Sequence, residues 1–196
     1  IYTHVAVGGA LDVRARVVAE YLAKELGVNV SVENITGAGG ATAATQLLTG
    51  SNSPYDLFFA ACSVFTSIPV FTETIYSIDD YIPLTAADVE SFGLYVSPKR
   101  SGLKSFDDLK NYAKTKEVIF GSGGTGNVTH LYQAGLYNLL GFKANTLAHN
   151  GAVVGLTNNM GGHNVVTMAG LETARSYVKS GDVVPIMTFK IGRAHV

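Results

Sequence analysis

The feature that most constrains this chain is a unit that recurs along it. A short β-like apolar run meets a loop of glycine and other small residues, and a helix-period segment follows. Val5-Ala6-Val7 leads through Gly8-Gly9 to a helix predicted over 12–26. There Val13, Val17, Tyr21, Leu22 and Leu26 recur at helical spacing. Asp12 is placed to cap that helix and Gly27 to stop it. Val28–Glu33 reads as a strand, Gly37-Ala38-Gly39-Gly40 opens a helix through Leu48, and Asp56–Ala61 is a buried strand. Residues 63–90 carry no clear period. Phe92–Ser97 is then a strand, and Ser105-Phe106-Asp107-Asp108 has the form of a capping box opening a helix to Lys116. Strand 117–120, a helix after Gly126 to Leu140, strand 146–148, helix 152–160, strand 165–168, helix 171–179 and strand 183–189 complete the series. Such units predict an α/β fold with a parallel sheet and helices on both faces. No internal repeat or low-complexity linker interrupts them.

Composition narrows the function. With 196 residues, 47% of them apolar, the chain suits one large domain or two small ones. Fourteen Lys+Arg against fifteen Asp+Glu give a net charge of -1, which offers no electrostatic footprint for nucleic acid. No apolar run approaches the roughly 18 residues that span a bilayer. A single cysteine, Cys62, excludes an internal disulfide and a multi-cysteine zinc site. Set beside Ala60-Ala61, it reads as a small buried thiol rather than a nucleophile. The first residue is Ile1, so secretion cannot be read from the chain.

The glycines matter most where they sit. There are 22, and they gather in the loops 8–12, 37–40 and 121–126, with a similar junction at His149-Asn150-Gly151. Glycine lets a ligand approach the backbone. A helix N-terminus offers free N–H groups and a positive dipole end, so such loops bind anions without a lysine. From Val118 to Leu171 there is no Asp or Glu, and that stretch holds three of the five histidines. The other reading is that tight strand-to-helix turns simply need glycine. All of these loops lie at the carboxyl ends of strands, where open α/β sheets bind ligands.

Other motifs fit less well. Gly121-x-Gly123-x-x-Gly126 matches a dinucleotide fingerprint, but the acid that should follow about 20 positions later is missing. A nucleotide-dependent enzyme built on the Gly121–Gly126 loop is therefore the alternative rather than the first reading. His130, His149 and His163 lack metal-ligand spacing, and His130 is the best ligand donor among them. No G-x-S-x-G elbow is present. Arg14 and Arg16 read as solvated. No catalytic residue, metal or cofactor is expected.

Several strings together resemble the tripartite tricarboxylate transporter substrate-binding proteins, or Bug receptors, from Val5 to Phe189. They are Gly8-Gly9-Ala10-Leu11-Asp12, Val32-Glu33-Asn34-Ile35-Thr36-Gly37-Ala38-Gly39-Gly40 and Tyr55-Asp56-Leu57-Phe58-Phe59. Ser105-Phe106-Asp107-Asp108-Leu109, the run Gly121–Leu131 and Lys179-Ser180-Gly181 follow. The Glu-Asn-x-x-Gly-Ala-Gly-Gly string is the most specific.

The resemblance implies a type II periplasmic-binding-protein fold, two Rossmann-like lobes with a ligand cleft. Lobe one would take residues 1–91 and be incomplete, lobe two 92–185, and 186–189 would begin a crossover back to lobe one. It implies a monomeric, non-enzymatic periplasmic or otherwise extracytoplasmic receptor, soluble or lipid-anchored. Such a receptor delivers a small organic carboxylate to a membrane permease of one large and one small subunit. The carboxylate could be a di- or tricarboxylate, an aromatic acid or an acidic amino acid. A sensor partner built on the same binding protein is a further alternative. Carried over onto this chain, the ligand-binding residues are Gly8, Gly9, Ala10, Leu11, Asp12 and Ser63 from lobe one. Lobe two would add Ser122, Thr125, Gly126, Asn127, His130, His149, Asn150 and Gly151.

The chain departs from the family pattern at four places. Val165 and Ala169 stand where members often carry an acid or amide, which bears on ligand polarity. Val7 stands before the glycine pair in place of Ala or Pro, and Thr36 replaces a common Pro.

Ile191-Gly192-Arg193-Ala194-His195-Val196 matches the translation of a common short-read sequencing adapter, and Lys190 fits the codon before it. Residues 190–196 are therefore expected to be adapter read-through, with native sequence ending at Phe189.

Overall fold

The computed structural model describes residues 1–50, 53–87 and 89–189. The expectation about 190–196 falls outside the described residues. Two compact units emerge. Unit 1 comprises Ile1–Leu84 with Gly124–Val128, and unit 2 comprises Thr85–Gly123 with the chain from Thr129 onward. The expected change of lobe after residue 91 thus falls earlier. The segment 85–91 groups with unit 2, where Leu171 N–H donates to Ser91 O at 3.1 Å.

Unit 1 holds β1 (Tyr2–Thr3), α1 (Ala10–Leu26), β2 (Glu33–Asn34), α2 (Ala41–Gly50) and β3 (Phe58–Phe59). The short helices α3 (Ser63–Thr66) and α4 (Ile68–Phe71) follow. Its sheet has the order β2-β1-β3, parallel throughout, with Tyr2 opposite both Glu33 and Phe58. The strand expected at Val5–Val7 is absent. The Val5 carbonyl accepts from Asn34 Nδ2 at 2.9 Å, and Gly9 N–H donates to Ala6 O at 3.1 Å. These bonds bend the chain away from the ladder. β2 and β3 are correspondingly shorter than expected, because β1 pairs through only two residues and strand structure needs a partner.

The start of α1 also differs from expectation. Gly9, not Asp12, is the N-cap, while Gly27 ends the helix in the left-handed region at φ 66. The buried residues of α1 are Asp12, Ala15 and Ala19. Val13, Val17, Tyr21 and Leu26 are exposed and Leu22 is half-buried, so Val13, Val17 and Tyr21 lie away from the face that packs.

The segment without clear period supplies the core of unit 1. Val64, Ile68 and Tyr76 bury themselves against Ala41 and Ala44, with Phe58, Phe65 and Tyr81 packed alongside. Phe65 and Tyr81 rings lie 4.9 Å apart. Tyr76 Oη donates to Val64 O at 2.9 Å and Tyr81 Oη to Ala44 O at 2.6 Å, so both phenols are satisfied as buried hydroxyls must be.

Unit 2 holds β4 (Phe92–Val96), α5 (Pro98–Ser101), α6 (Phe106–Ala113), β5 (Val118–Ser122) and α7 (Val128–Leu139). Then come β6 (Ala144–Ala148), α8 (Ala152–Gly161), β7 (Val166–Gly170), α9 (Leu171–Lys179) and β8 (Val184–Phe189). The capping box forms as expected. Ser105 Oγ accepts from Asp108 N at 3.1 Å, and Asp108 Oδ2 from Ser105 N at 3.0 Å.

The sheet order is β6-β5-β7-β4-β8. β5 is parallel to β6 and β7, but β4 runs antiparallel to β7 and β8, which corrects the all-parallel expectation. A helical crossover enforces parallel pairing between the strands it joins, and no single helix joins β4 to either neighbour. Residues 186–189, expected to begin a crossover, belong to β8 and pair with β4. Pro185 sits on this edge strand, where proline is tolerated. One face of the sheet packs Leu94, Val166 and Met168 against Leu109 and Tyr137. The other packs Tyr95 and Ala169 against Leu156 and Ala174. Helices therefore cover both faces. Among the described residues no helix is long and apolar enough to cross a membrane.

Candidate functional site

In unit 1 the expected site residues follow β1 and β3. Asp12 is 1% exposed, and its carboxylate is turned inward. Oδ2 accepts from Gly8 N–H at 2.8 Å and Arg16 Nε at 3.1 Å, and Oδ1 from Asn34 Nδ2 at 2.8 Å. Burial acts to raise this carboxyl, but the hydrogen bonds from Arg16, Gly8 and Asn34 outweigh it and hold it below its ordinary value. Arg16 is thus an ion-pair partner rather than a freely solvated cation. Asp12 shapes the loop: the N–H groups of Gly8 and Gly9 are spent on Asp12 and Ala6, so of the expected residues here Ala10 and Leu11 are the ones that can present a backbone donor. The first N–H groups of a helix have no partner within it, and Ala10 and Leu11 begin α1.

Ser63 opens α3, is buried, and its Oγ has no hydrogen-bond partner among the described residues. Cys62 beside it is exposed rather than buried. The loop before them is held by a residue that the sequence did not single out, His4. Its Nε2 accepts from Ala61 N–H at 3.1 Å, which requires a neutral ring. Burial pushes its pKa down to about 4. Gly40, at φ +112, lets that ring approach, since a Cβ there would lie 3.1 Å from His4 Cγ. A histidine at the end of a strand facing a glycine loop was the available signal.

Thr125, Gly126 and Asn127, expected in the second lobe, group with unit 1 instead. Ser67 Oγ donates to Gly126 O at 2.7 Å, and Ile68 and Phe71 lie against the Gly126 backbone. Thr125 is exposed and Asn127 half-buried. The glycine loop is therefore divided, with Gly121–Gly123 remaining in unit 2.

In unit 2, Ser122 is fully buried. Its hydroxyl bonds with Thr146 Oγ1 at 2.7 Å, and its carbonyl accepts from His149 N–H at 2.9 Å. His130 is half-buried and stacked on Phe120, with centroids 6.0 Å apart, and burial lowers its pKa. Gln133, also unforeseen, anchors the loop from beneath. Its Nε2 donates to Gly121 O and Thr129 O, both at 2.8 Å. His149 is buried and held neutral, because burial lowers its pKa against the opposing pull of its own backbone and that of Gly151. Its ring lies against Gly155 of α8, in the interior rather than at the loop surface. Asn150 is exposed, and Gly151, at φ 106, is the N-cap of α8.

Each unit thus ends its parallel strands in loops whose donors are backbone N–H groups and hydroxyls. Such donors suit an oxygen-rich anion. Among the described residues no group of His, Cys, Asp or Glu is placed to hold a metal ion.

The model of a family described as "Tripartite tricarboxylate transporter family receptor" matches residues 14–194. A UPF0065 protein of Bordetella bronchiseptica is 28% identical over 176 residues, covering 89% of this chain and 52% of that protein. The chain spans about half the length of the curated relatives it matches. Among solved structures, one described as a periplasmic transporter superposes with a TM-score of 0.87 at 25% identity. It covers 100% of this chain and 67% of the other. MatC from Rhodopseudomonas palustris, with bound malate, superposes with a TM-score of 0.81 at 20% identity, over 98% of this chain and 67% of the other. The fold is that of these periplasmic binding proteins.

Proposed function

Because the chain belongs to the tripartite tricarboxylate transporter receptor family, we propose that it is part of an extracytoplasmic receptor for a small organic carboxylate. In this reading the receptor hands its ligand to a membrane permease of one large and one small subunit. The observation that carries it is the inward turn of Asp12. Its charge is matched by Arg16 and one oxygen is further held by the Asn34 amide, which leaves backbone N–H groups at the start of α1 to meet an anion. In unit 2 the start of α8, after Asn150-Gly151, offers the same chemistry. Hydrogen bonds to a charged group contribute about 1.5–3 kcal/mol each, so a few suffice without a lysine. The malate held by MatC supports the ligand class.

The test is thermal and chemical unfolding of the purified protein, freed of carried-over ligand by partial unfolding and refolding. The panel holds malate, other di- and tricarboxylates, aromatic acids and acidic amino acids. At a ligand concentration 100-fold above Kd, stability rises by about 2.7 kcal/mol. Absence of any shift across the panel would overturn the reading.

A further inference from the structure

Beneath the loop that ends β6 lies a group of buried polar atoms without partners. The ring nitrogens of His149, which lie near the backbone of His149 and Gly151 without reaching hydrogen-bond geometry, and the Thr167 hydroxyl make no full hydrogen bond among the described residues. His149 is 8% exposed and Thr167 fully buried. Two glycines let these groups gather. A Cβ on Gly155 would collide with His149 Nε2 and come within 2.8 Å of Thr167 Oγ1, and one on Gly121 would lie 2.6 Å from the same hydroxyl. Nε2 and the hydroxyl therefore flank one point on α8. The backbone of His149 meanwhile bonds Ser122 O, which ties together the ends of β5 and β6.

A neutral imidazole carries one donor and one acceptor nitrogen. Burying both unpaired is unfavourable, so a ring in this state gains most from any small movement that brings a partner into reach. Thr167 Oγ1 lies beside the same point on α8 as Nε2. It sits on β7, opposite Gly121 in the ladder, and its position is fixed by the sheet.

We propose that Thr167 and Gly155 are positioning residues for the loop 149–151. A carboxylate on the Asn150 and Gly151 backbone draws the His149 ring into a hydrogen bond with the Thr167 hydroxyl, and that bond holds the loop in its binding geometry. The inference rests on the carboxylate reading above. By linkage, bond formation and ligand binding then strengthen each other equally. Gly155 is required because any side chain there would occupy the meeting point.

The test compares Thr167→Val, which keeps shape and removes the hydroxyl, with Thr167→Ser, which keeps the hydroxyl. Affinities for malate and citrate are measured by calorimetry, and the ring nitrogens of His149 are followed by 15N NMR. Thr167→Val should weaken binding by about three- to tenfold, the value of one neutral hydrogen bond, and Thr167→Ser should restore it. The His149 ring resonances should shift on adding the carboxylate in the wild type and in Thr167→Ser, but not in Thr167→Val. Gly155→Ala should weaken binding at least as much. If the wild type binds and Thr167→Val binds within twofold of it, the positioning role is wrong while the carboxylate reading stands. If the wild type binds neither probe nor any member of the panel, both are wrong.

Discussion

The two units solve the same construction problem to different extents. Unit 2 has four strands of five residues and one of six, while each strand of unit 1 has two. β7 is buried along its whole length, with helices on both sides. α1 in unit 1 packs through Ala15 and Ala19 and leaves Val13, Val17 and Tyr21 exposed. Length of strand sets how many side chains a sheet can offer to the helices that cover it. A ladder of two residues gives α1 little apolar surface, and a cluster of aromatic rings from residues 58–81 takes over much of the core. Local sequence makes a helix in both units, but only a broad sheet gives that helix a buried face.

The largest expected effect tests the better-built unit. Leu94→Ala removes a fully buried side chain from the centre of the unit 2 sheet and should lower stability by about 2–5 kcal/mol. Urea unfolding monitored by amide exchange should locate the loss in β4, β7 and β8. A loss below about 1 kcal/mol would show that this core is looser than its burial implies.

Acid should act on unit 1 through His4. The unfolded chain takes up a proton at the ordinary histidine value of 6.5, whereas the folded ring resists until about 4. Stability is therefore complete above pH 6.5 and is lost progressively as the pH falls to about 4, by about 3 kcal/mol. His4→Gln keeps an acceptor for Ala61 N–H and removes the titration. Protection factors of the amides at residues 2–4 and 60–63, with the intrinsic pH dependence of exchange divided out, should fall from about pH 7.5 to about pH 5 in the wild type and much less in the variant. An equal fall in both would exclude His4 as the source.

The smallest effect asks whether the exposed stripe of α1 is solvated in solution. Val17→Ser should change stability by no more than about 0.5 kcal/mol, as surface substitutions do. A loss near that of Leu94→Ala would show that something covers α1, and the contrast between the units would need to be redrawn.

Much of unit 2 was legible in the sequence because its signals are local and agree with one another. The Ser105–Asp108 capping box and the loop 149–151 ahead of α8 stand where side-chain chemistry puts them, and the strand expected at 117–120 forms at 118–122, taking Gly121 and Ser122 out of the expected loop. The region 63–84 was not legible. Its helices have four residues each, too few to display a period, and its tyrosines find their partners far away in the chain. In the candidate site, the glycine loops could be read from composition and position. The direction of Asp12 could not, because Asn34 reaches it from 22 residues away. Nor could the division of the 121–126 loop, which depends on Ser67 and Phe71.

The sequence by itself determined most of the alternation of strands and helices, the Ser105–Asp108 capping box, the stop at Gly27 and the glycine loops that follow the strands. These depend on contacts within a few residues, where side-chain period and backbone freedom act directly. Only the tertiary structure decided the reversed direction of β4, the exposed side of α1, the inward turn of Asp12 and the burial of His149 with its nitrogens unpaired. Each of these depends on which distant segment arrives as neighbour, and a strand or side chain carries no local record of the partner it will meet.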